Sequence, residues 1–147
     1  MLDPAQATRQ QTEAMTNRIK LLLVDDEPSV RRGLRMRLEL ESDVEVVGEA
    51  ADGSQAVRMA ESLATGVVVM DVEMPVMNGI AAAREITSRN PDVAIVMLSM
   101  HDDATTVVRA REAGAAAFVA KRSMDNTLID AIRSAARALG GATNDSD

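Results

Sequence analysis

The sequence contains no cysteine, tryptophan or tyrosine, and Phe118 is its only aromatic residue. The absence of cysteine excludes a disulfide framework and thiolate chemistry. A core with one aromatic ring has to be built from aliphatic side chains and methionines, of which there are ten. No apolar run approaches the ~20 residues of a membrane-spanning helix, and the first residues lack the apolar stretch of a secretory signal. We therefore expect a cytoplasmic protein that makes no contact with a membrane.

Positive charge is also in short supply. The 147 residues carry 16 lysines and arginines against 23 aspartates and glutamates, a net charge of −7. Because domains that bind nucleic acid usually present a basic face, we expect no direct contact between this chain and nucleic acid. The length suits one domain, and the apolar fraction of 46% is enough for a substantial core.

Apolar runs alternate five times with segments of helical periodicity, which indicates an α/β fold with a parallel sheet and helices on both faces. The predicted strands are 19–24, 44–48, 67–71, 93–98 and 115–120, and the second of them is expected at a sheet edge. The predicted helices are 28–38, 54–62, 77–89, 103–113 and 124–139. In the first helix, Arg31, Arg32, Arg35 and Arg37 are predicted to form a solvated face.

The domain is predicted to span residues 18–139. Residues 1–17 are polar with no clear period, so they are predicted to be a flexible extension. Gly140 and Gly141 are predicted to end the last helix, and residues 140–147 to form a flexible tail.

Polar residues stand where the predicted strands end. Asp25 and Asp26 follow the first strand, and Asp71, Ser99 and Lys121 follow the third, fourth and fifth. In a sheet of order 2-1-3-4-5 these strands are neighbours and their carboxyl ends face one crevice, where such folds bind ligands. Taken alone, Asp71 would be read as an ordinary acidic cap at a strand exit.

The chemistry of this group of residues is more specific than that of any one of them. Carboxylates crowded together repel each other, at about 1 kcal/mol for two charges 4 Å apart in water. A hard divalent cation such as Mg²⁺ or Mn²⁺ relieves that repulsion, since it prefers oxygen ligands. A carboxylate can also act as the nucleophile of phosphoryl transfer, which depends mainly on positioning and charge neutralisation.

From residue 18 to about residue 139 the chain resembles the receiver domain of two-component response regulators, and most closely receivers of the NarL/FixJ type. Four segments carry the resemblance: LLVDDE at 22–27, MDVEMPVMNG at 70–79, LS at 98–99 and GAAAFVAK at 114–121. The resemblance implies a doubly wound, flavodoxin-like (βα)5 fold with the CheY-like sheet order 2-1-3-4-5. It also implies a phosphoacceptor that catalyses its own phosphotransfer and slow dephosphorylation rather than an enzyme.

The resemblance assigns a role to each polar residue of the predicted crevice. Asp71 is the phosphoacceptor, and Lys121 contacts the phosphoryl oxygens. The metal ligands are Asp26 directly, Asp25 through water, Asp71, and the main-chain carbonyl of Glu73. Ser99 is the switch hydroxyl.

The same resemblance implies a residue coupled to the switch, two positions near the site that could affect the phosphate, and the partners of the domain. Phe118 is the aromatic side chain coupled to the switch. Glu73 and His101 are candidates for tuning the lifetime of the phosphate, or are simply solvated. The expected phosphodonor is a sensor histidine kinase or a histidine phosphotransfer domain. The surface of helix four, strand five and helix five is expected to contact a second copy or a downstream protein.

Two other functions stay open at this point. The chain is alternatively the input half of a LuxR-type DNA-binding regulator, cut before its helix-turn-helix domain. A remote alternative is a phosphatase of the haloacid dehalogenase type, in which the residue at the position of Glu73 acts as acid and base. In that class, however, the catalytic strand is expected first in the chain.

Overall fold

The computed structural model describes residues 18–123 and 126–144, and the predictions made for residues 1–17, Met124 and 145–147 lie outside these ranges. Five strands form one sheet in which all paired neighbours run parallel, in the order β2-β1-β3-β4-β5. This order confirms the predicted topology, including the edge position of β2. The strands are β1 (Ile19–Val24), β2 (Val44–Ala50), β3 (Val67–Asp71), β4 (Ala94–Ser99) and β5 (Ala117–Ala120).

Helices connect successive strands, and a 3-10 turn (Lys121–Ser123) follows β5. The helices are α1 (Pro28–Glu39), α2 (Gly53–Ser62), α3 (Gly79–Arg89), α4 (Ala104–Glu112) and α5 (Asn126–Asn144). Three of them begin with a side-chain cap: the carboxylates of Asp52 and Asp103 and the amide oxygen of Asn78 each accept a hydrogen bond from a first-turn amide. None of the helices in the described part of the chain has the length and apolar character needed to cross a membrane.

The core lies on both faces of the sheet because the strands are apolar at most positions. In β1, Leu21 and Leu23 belong to the cluster under α1 and α5, whereas Leu22 and Val24 belong to the cluster under α2, α3 and α4. The alternation of side chains along a strand produces this division. A sheet covered on both faces leaves its strand ends as the place where polar side chains are tolerated.

Among the described residues, four predicted boundaries were wrong by two residues or more. The second strand ends at Ala50 instead of Gly48, and the third helix begins at Gly79 instead of Met77. The other two boundaries are those of the last helix and the fifth strand. The last helix does not end at Gly140 but continues through Gly141 to Asn144; glycine weakens a helix by about 1 kcal/mol without the steric clash that makes proline break one. The fifth strand begins at Ala117 instead of Ala115, because residues 114–116 complete the turn after α4. Gly114 adopts a φ of 104° there, and the amide of Ala115 donates to the carbonyl of Ala110.

Candidate functional site

The register of the sheet brings the polar strand ends into line. Val24 of β1 pairs with Met70 of β3, so Asp25 and Asp71 are the next residues on two adjacent strands. Asp71 pairs with Leu98, and Ser99 pairs with Ala120, so that Lys121 follows beside them. All the predicted site residues named for strand ends therefore lie at one edge of the sheet, as the alternation of strands and helices predicted.

Lys121 forms ion pairs with two of the carboxylates. Its Nζ lies 3.1 Å from Oδ2 of Asp71 and 3.2 Å from Oδ2 of Asp25. Both aspartates are buried, and the lysine side chain is only 12% exposed. One ammonium group is thus shared by two buried carboxylates, which leaves negative charge in excess at the site.

The ionisation of Asp71 and Lys121 reflects this environment. Burial raises the pKa of Asp71 to about 7, against the opposing effect of the hydrogen bond and charge of Lys121. Burial alone would lower the pKa of Lys121, but the carboxylates of Asp71 and Asp25 outweigh it and raise that pKa above its usual value. Lys121 therefore stays charged at neutral pH, while burial disfavours the charged form of Asp71.

The acidic cluster has the composition of a metal site. Asp25, Asp26 and Asp71 each offer a carboxylate oxygen, and these three oxygens lie within 4.8 Å of one another. Asp26 is the more accessible member, and the other two are buried. Hard oxygen donors at such spacing, with excess negative charge, fit Mg²⁺ or Mn²⁺.

The loop after β3 passes very close to the strand it leaves. The amide of Gly79 donates to the carbonyl of Val72, and a Cβ on Gly79 would lie 2.2 Å from the main-chain oxygen of Asp71. No other residue type fits this position without displacing the end of β3. Gly79 therefore helps to fix the place of Asp71, and the amide of Glu73, 3.3 Å away, donates to Oδ1 of the same aspartate.

Ser99 is fully buried, and its hydroxyl both donates and accepts a hydrogen bond in this structure. Its Oγ donates to Oε1 of Glu73 at 2.6 Å and accepts from the amide of His101 at 2.9 Å. Glu73 itself is exposed, as is His101. The sequence placed Glu73 and His101 near the site, but nothing in it indicated that the Glu73 side chain contacts the serine.

Phe118 lies on β5 two residue pairs before the pair formed by Ser99 and Ala120. It pairs in register with Met97, two residues before Ser99, and packs partly buried against the cluster under α2, α3 and α4. Phe118 therefore lies on the strand next to that of Ser99, two positions from it, and Ser99 is the residue to which the resemblance couples it.

Arg31 has a position that the sequence did not predict. It was assigned to a solvated face, but its side chain is only 19% exposed. Its guanidinium donates to the main-chain carbonyl of Asp25 at 2.6 Å and pairs with Glu49 at 2.9 Å. Arg35 and Arg37 do lie closer to solvent and pair with nearby glutamates.

A crevice of about 570 Å³ opens beside the acidic cluster. Asp26, Glu73 and Pro75 line one part of it, and His101 and Arg109 line another. The crevice gives a second molecule access to the side of the site on which Asp26 lies.

Comparison with known protein families gives one consistent result. The family model described as "Response regulator receiver domain" matches residues 21–133. Among the curated relatives, the transcriptional regulatory protein LiaR of Bacillus subtilis is 41% identical over 119 residues, which cover 81% of this chain and 56% of LiaR. The response regulator UvrY of Escherichia coli is 40% identical over 116 residues, covering 79% of this chain and 53% of UvrY. The chain thus spans about half the length of these relatives.

Solved structures agree with the sequence comparison. The signal receiver domain of the response regulator NarL from Mycobacterium tuberculosis superposes with a TM-score of 0.79 at 30% identity, over 82% of this chain and 98% of that one. The response regulator domain of Thermotoga maritima CheB gives a TM-score of 0.77 at 33% identity, over 82% and 97% of the two chains.

Proposed function

Because this chain belongs to the response regulator receiver family, we propose that it is a switch controlled by phosphorylation of Asp71. Receiver domains act as phosphoacceptors of two-component systems and are generally not enzymes. The observation that carries the assignment of Asp71 is the bridge from Lys121 to two buried carboxylates at adjacent strand ends. This is the arrangement needed to hold a transferred phosphoryl group next to an ammonium group.

In the proposed reaction, a carboxylate oxygen of Asp71 attacks the phosphorus of a phosphohistidine. The new P–O bond forms as the P–N bond breaks, and the imidazole nitrogen leaves with the electron pair. Lys121 balances the charge of the phosphoryl oxygens, and its pKa keeps it protonated throughout. Since the transition state demands mainly alignment and charge neutralisation, the domain itself supplies the catalysis of its own phosphorylation and slow dephosphorylation.

Asp26, Asp25 and Asp71, together with the main-chain carbonyl of Glu73, would hold the metal ion. Bound there, Mg²⁺ or Mn²⁺ supplies positive charge that offsets the carboxylates and the phosphoryl oxygens. The support for this part of the proposal is the spacing of the three carboxylate oxygens within 4.8 Å. The burial of Asp25 and Asp71 supports the same proposal, because a nearby cation favours the charged form of a buried carboxylate.

The proposed switch begins at Ser99. A phosphoryl group adds acceptor oxygens at Asp71, and the Ser99 hydroxyl would leave Glu73 to donate to one of them. Phe118 would then turn toward the space behind the serine, and the surface of α4, β5 and α5 would change with it. Val108 of α4 is 51% exposed and would belong to the contact with a second copy or a downstream protein.

The phosphodonor we infer is a sensor histidine kinase or a histidine phosphotransfer domain, acting in the cytoplasm. For the output, LiaR is named a transcriptional regulatory protein, and this chain covers about half of it. We therefore infer a transcriptional output as the second candidate, in which this domain is the input half of a LuxR-type regulator. Nothing in the fold or the comparisons favours the phosphatase alternative.

The test of the proposed function is phosphorylation by acetyl phosphate with Mg²⁺, read by intact mass. We expect the wild type to gain the mass of one phosphoryl group and Asp71→Asn to gain none. Asp92→Asn is the matched control, because Asp92 is exposed and the substitution makes the same change in charge. Labelling that persists in Asp71→Asn would refute the assignment.

A further inference from the structure

Arg31 connects three elements behind the acidic cluster. The residue lies in the first turn of α1, its Nη1 donates to the main-chain oxygen of Asp25, and its Nε pairs with Oε1 of Glu49 at the end of β2. The guanidinium is rigid and planar, so two hydrogen bonds made through different nitrogens fix its orientation. Arg31 therefore ties the loop between β1 and α1 to a strand that carries no site residue.

The oxygen that Arg31 holds belongs to the peptide that links Asp25 to Asp26. Because a peptide unit is planar, fixing its carbonyl also fixes the direction in which the chain enters Asp26. The side chain of Asp25 is held separately: Oδ1 accepts from the amide of Glu27 at 2.9 Å, and Oδ2 lies by Lys121. Each oxygen atom of Asp25 thus has a hydrogen-bond or ion-pair partner. Arg31 is the partner of the main-chain oxygen, which belongs to the peptide between Asp25 and Asp26.

The charge of Arg31 by itself would work against a cation at this site. Glu49 offsets that charge, and it is shared with Arg35, which pairs with its other carboxylate oxygen. The hydrogen bonds of Arg35 go to Glu39 and Glu49, and none goes to Asp25. The two arginines therefore carry the same charge and share the same glutamate, but only Arg31 bonds to the loop of the metal site.

We propose that Arg31 is a positioning residue for the divalent cation, acting through the Asp25–Asp26 peptide that it holds in place. The inference rests on the metal site of the proposed function. Removing a positioning partner that is not itself a metal ligand typically weakens metal affinity by about 10–100-fold. For Arg31, which acts through one carbonyl, we expect an effect at the lower end of that range, about tenfold.

The experiment compares Arg31→Gln with Arg35→Gln as the matched control. The Mg²⁺ dissociation constant is measured by titration of amide resonances, since the chain has no tryptophan to report binding. We expect weaker binding in Arg31→Gln and near-wild-type binding in Arg35→Gln. Arg31→Lys keeps the charge without the planar fork and should also bind Mg²⁺ more weakly.

The direction of the change separates positioning from charge. Loss of a cation would by itself strengthen Mg²⁺ binding, so equal or tighter binding in Arg31→Gln overturns the inference. Equal weakening in Arg31→Gln and Arg35→Gln also overturns it, because the effect would then belong to the shared glutamate.

A second measurement needs no metal. The Glu27 amide, which donates to Asp25, should exchange its hydrogen faster in metal-free Arg31→Gln than in Arg35→Gln or the wild type. If the wild type bound no Mg²⁺, the metal part of the proposed function would fail on its own. Exchange at Glu27 would still decide whether Arg31 holds the loop, and unchanged exchange would overturn the inference.

Discussion

The Ser99 hydroxyl donates to the carboxylate of Glu73 at 2.6 Å, two residues beyond Asp71. The acceptor is charged and exposed, whereas the donor is fully buried. For Ser99 to reach a phosphoryl group on Asp71, this bond has to break. In the proposed switch, Glu73 would therefore compete with the phosphoryl group for the same hydroxyl, a role distinct from the effect on water access considered from the sequence.

Truncation of Glu73 should make the phosphorylated conformation easier to reach. Loss of a hydrogen bond worth about 1 kcal/mol corresponds to about fivefold tighter binding of a beryllofluoride mimic in Glu73→Ala, with Mg²⁺ present. Binding is measured by titration of amide resonances. Glu73→Gln removes the charge but keeps an acceptor, so it should show a smaller gain than Glu73→Ala.

The control for this prediction is the Ser99→Ala background. If Glu73 acts through the serine hydroxyl, the gain from Glu73→Ala disappears when Ser99 is already alanine. The same gain in both backgrounds would mean that Glu73 acts through its charge alone.

Asp71→Asn should stabilise the metal-free protein at alkaline pH. Burial raises the pKa of Asp71 from its ordinary value of 3.8 to about 7, so the folded state keeps a proton that the unfolded state releases. The wild type therefore loses stability as pH rises from about 4 to about 7, and the loss is complete above that range. Asparagine has no such proton, and Lys121 keeps Asp25 as its partner.

Thermal unfolding in a chelator, followed by circular dichroism, measures this difference. We expect Asp71→Asn to melt roughly 5 °C higher than the wild type at pH 8 and to lose that advantage toward pH 4. The exposed substitution Asp92→Asn should show no comparable pH-dependent gain. A difference for Asp71→Asn that does not vary with pH would contradict the assigned cause.

Mg²⁺ should stabilise the fold by mass action, because the acidic cluster exists only in the folded chain. For a dissociation constant of about 1 mM, 10 mM Mg²⁺ adds about 1.4 kcal/mol, which raises the melting temperature by roughly 5 °C. Asp26→Asn should abolish most of this rise, since it removes the most accessible of the three carboxylates. A full Mg²⁺ response in Asp26→Asn would remove this residue from the metal site.

Val76→Gly should stabilise the loop after Asp71. Val76 has a φ of 67° and an 86% exposed side chain, so it adopts a left-handed conformation with little packing in return. That conformation destabilises a residue with a Cβ by about 1–2 kcal/mol. Glycine avoids this strain, but it loses more conformational entropy on folding, which costs about 0.5–1 kcal/mol. We expect a net gain of about 0.5–1 kcal/mol in urea unfolding.

Val76→Ala is the matched control because alanine keeps the Cβ and hence most of the strain. Its stability should stay near that of the wild type. If alanine stabilised the protein as much as glycine, exposure of the valine side chain and not the backbone would be the cause.

Most of the site could be predicted from the sequence because four of its residues stand directly at the ends of apolar runs. Asp25, Asp71, Ser99 and Lys121 are marked by the strands before them, and alternation with helices makes those strands parallel. Glu73 was placed near the site, but its bond to Ser99 depends on the path of the loop after β3. Arg31 was misassigned, because its position on α1 looks like that of its exposed neighbours.

Helix ends were the weaker part of the prediction. The pair Gly140 and Gly141 looks like a stop signal, yet α5 continues past it, since each glycine lowers helix stability without blocking the next turn. Gly114 does end α4 with a positive φ, and its amide donates to the carbonyl of Arg111 as the chain turns toward β5. Glycine thus ends a helix at Gly114 but not at Gly140 or Gly141, because of the three only Gly114 lies where the chain must turn back to the sheet.

By itself, the sequence determined the fold, the edge of the sheet that carries the site and the residues that converge there, because hydrophobic periodicity and strand-end polarity are local signals. Tertiary structure alone decided how these residues are joined: Lys121 between two aspartates, Ser99 bonded to Glu73, and Arg31 bonded to the carbonyl of Asp25. Those contacts link residues up to 96 positions apart. They depend on register, burial and side-chain direction, which become defined only when the sheet and its helices pack together.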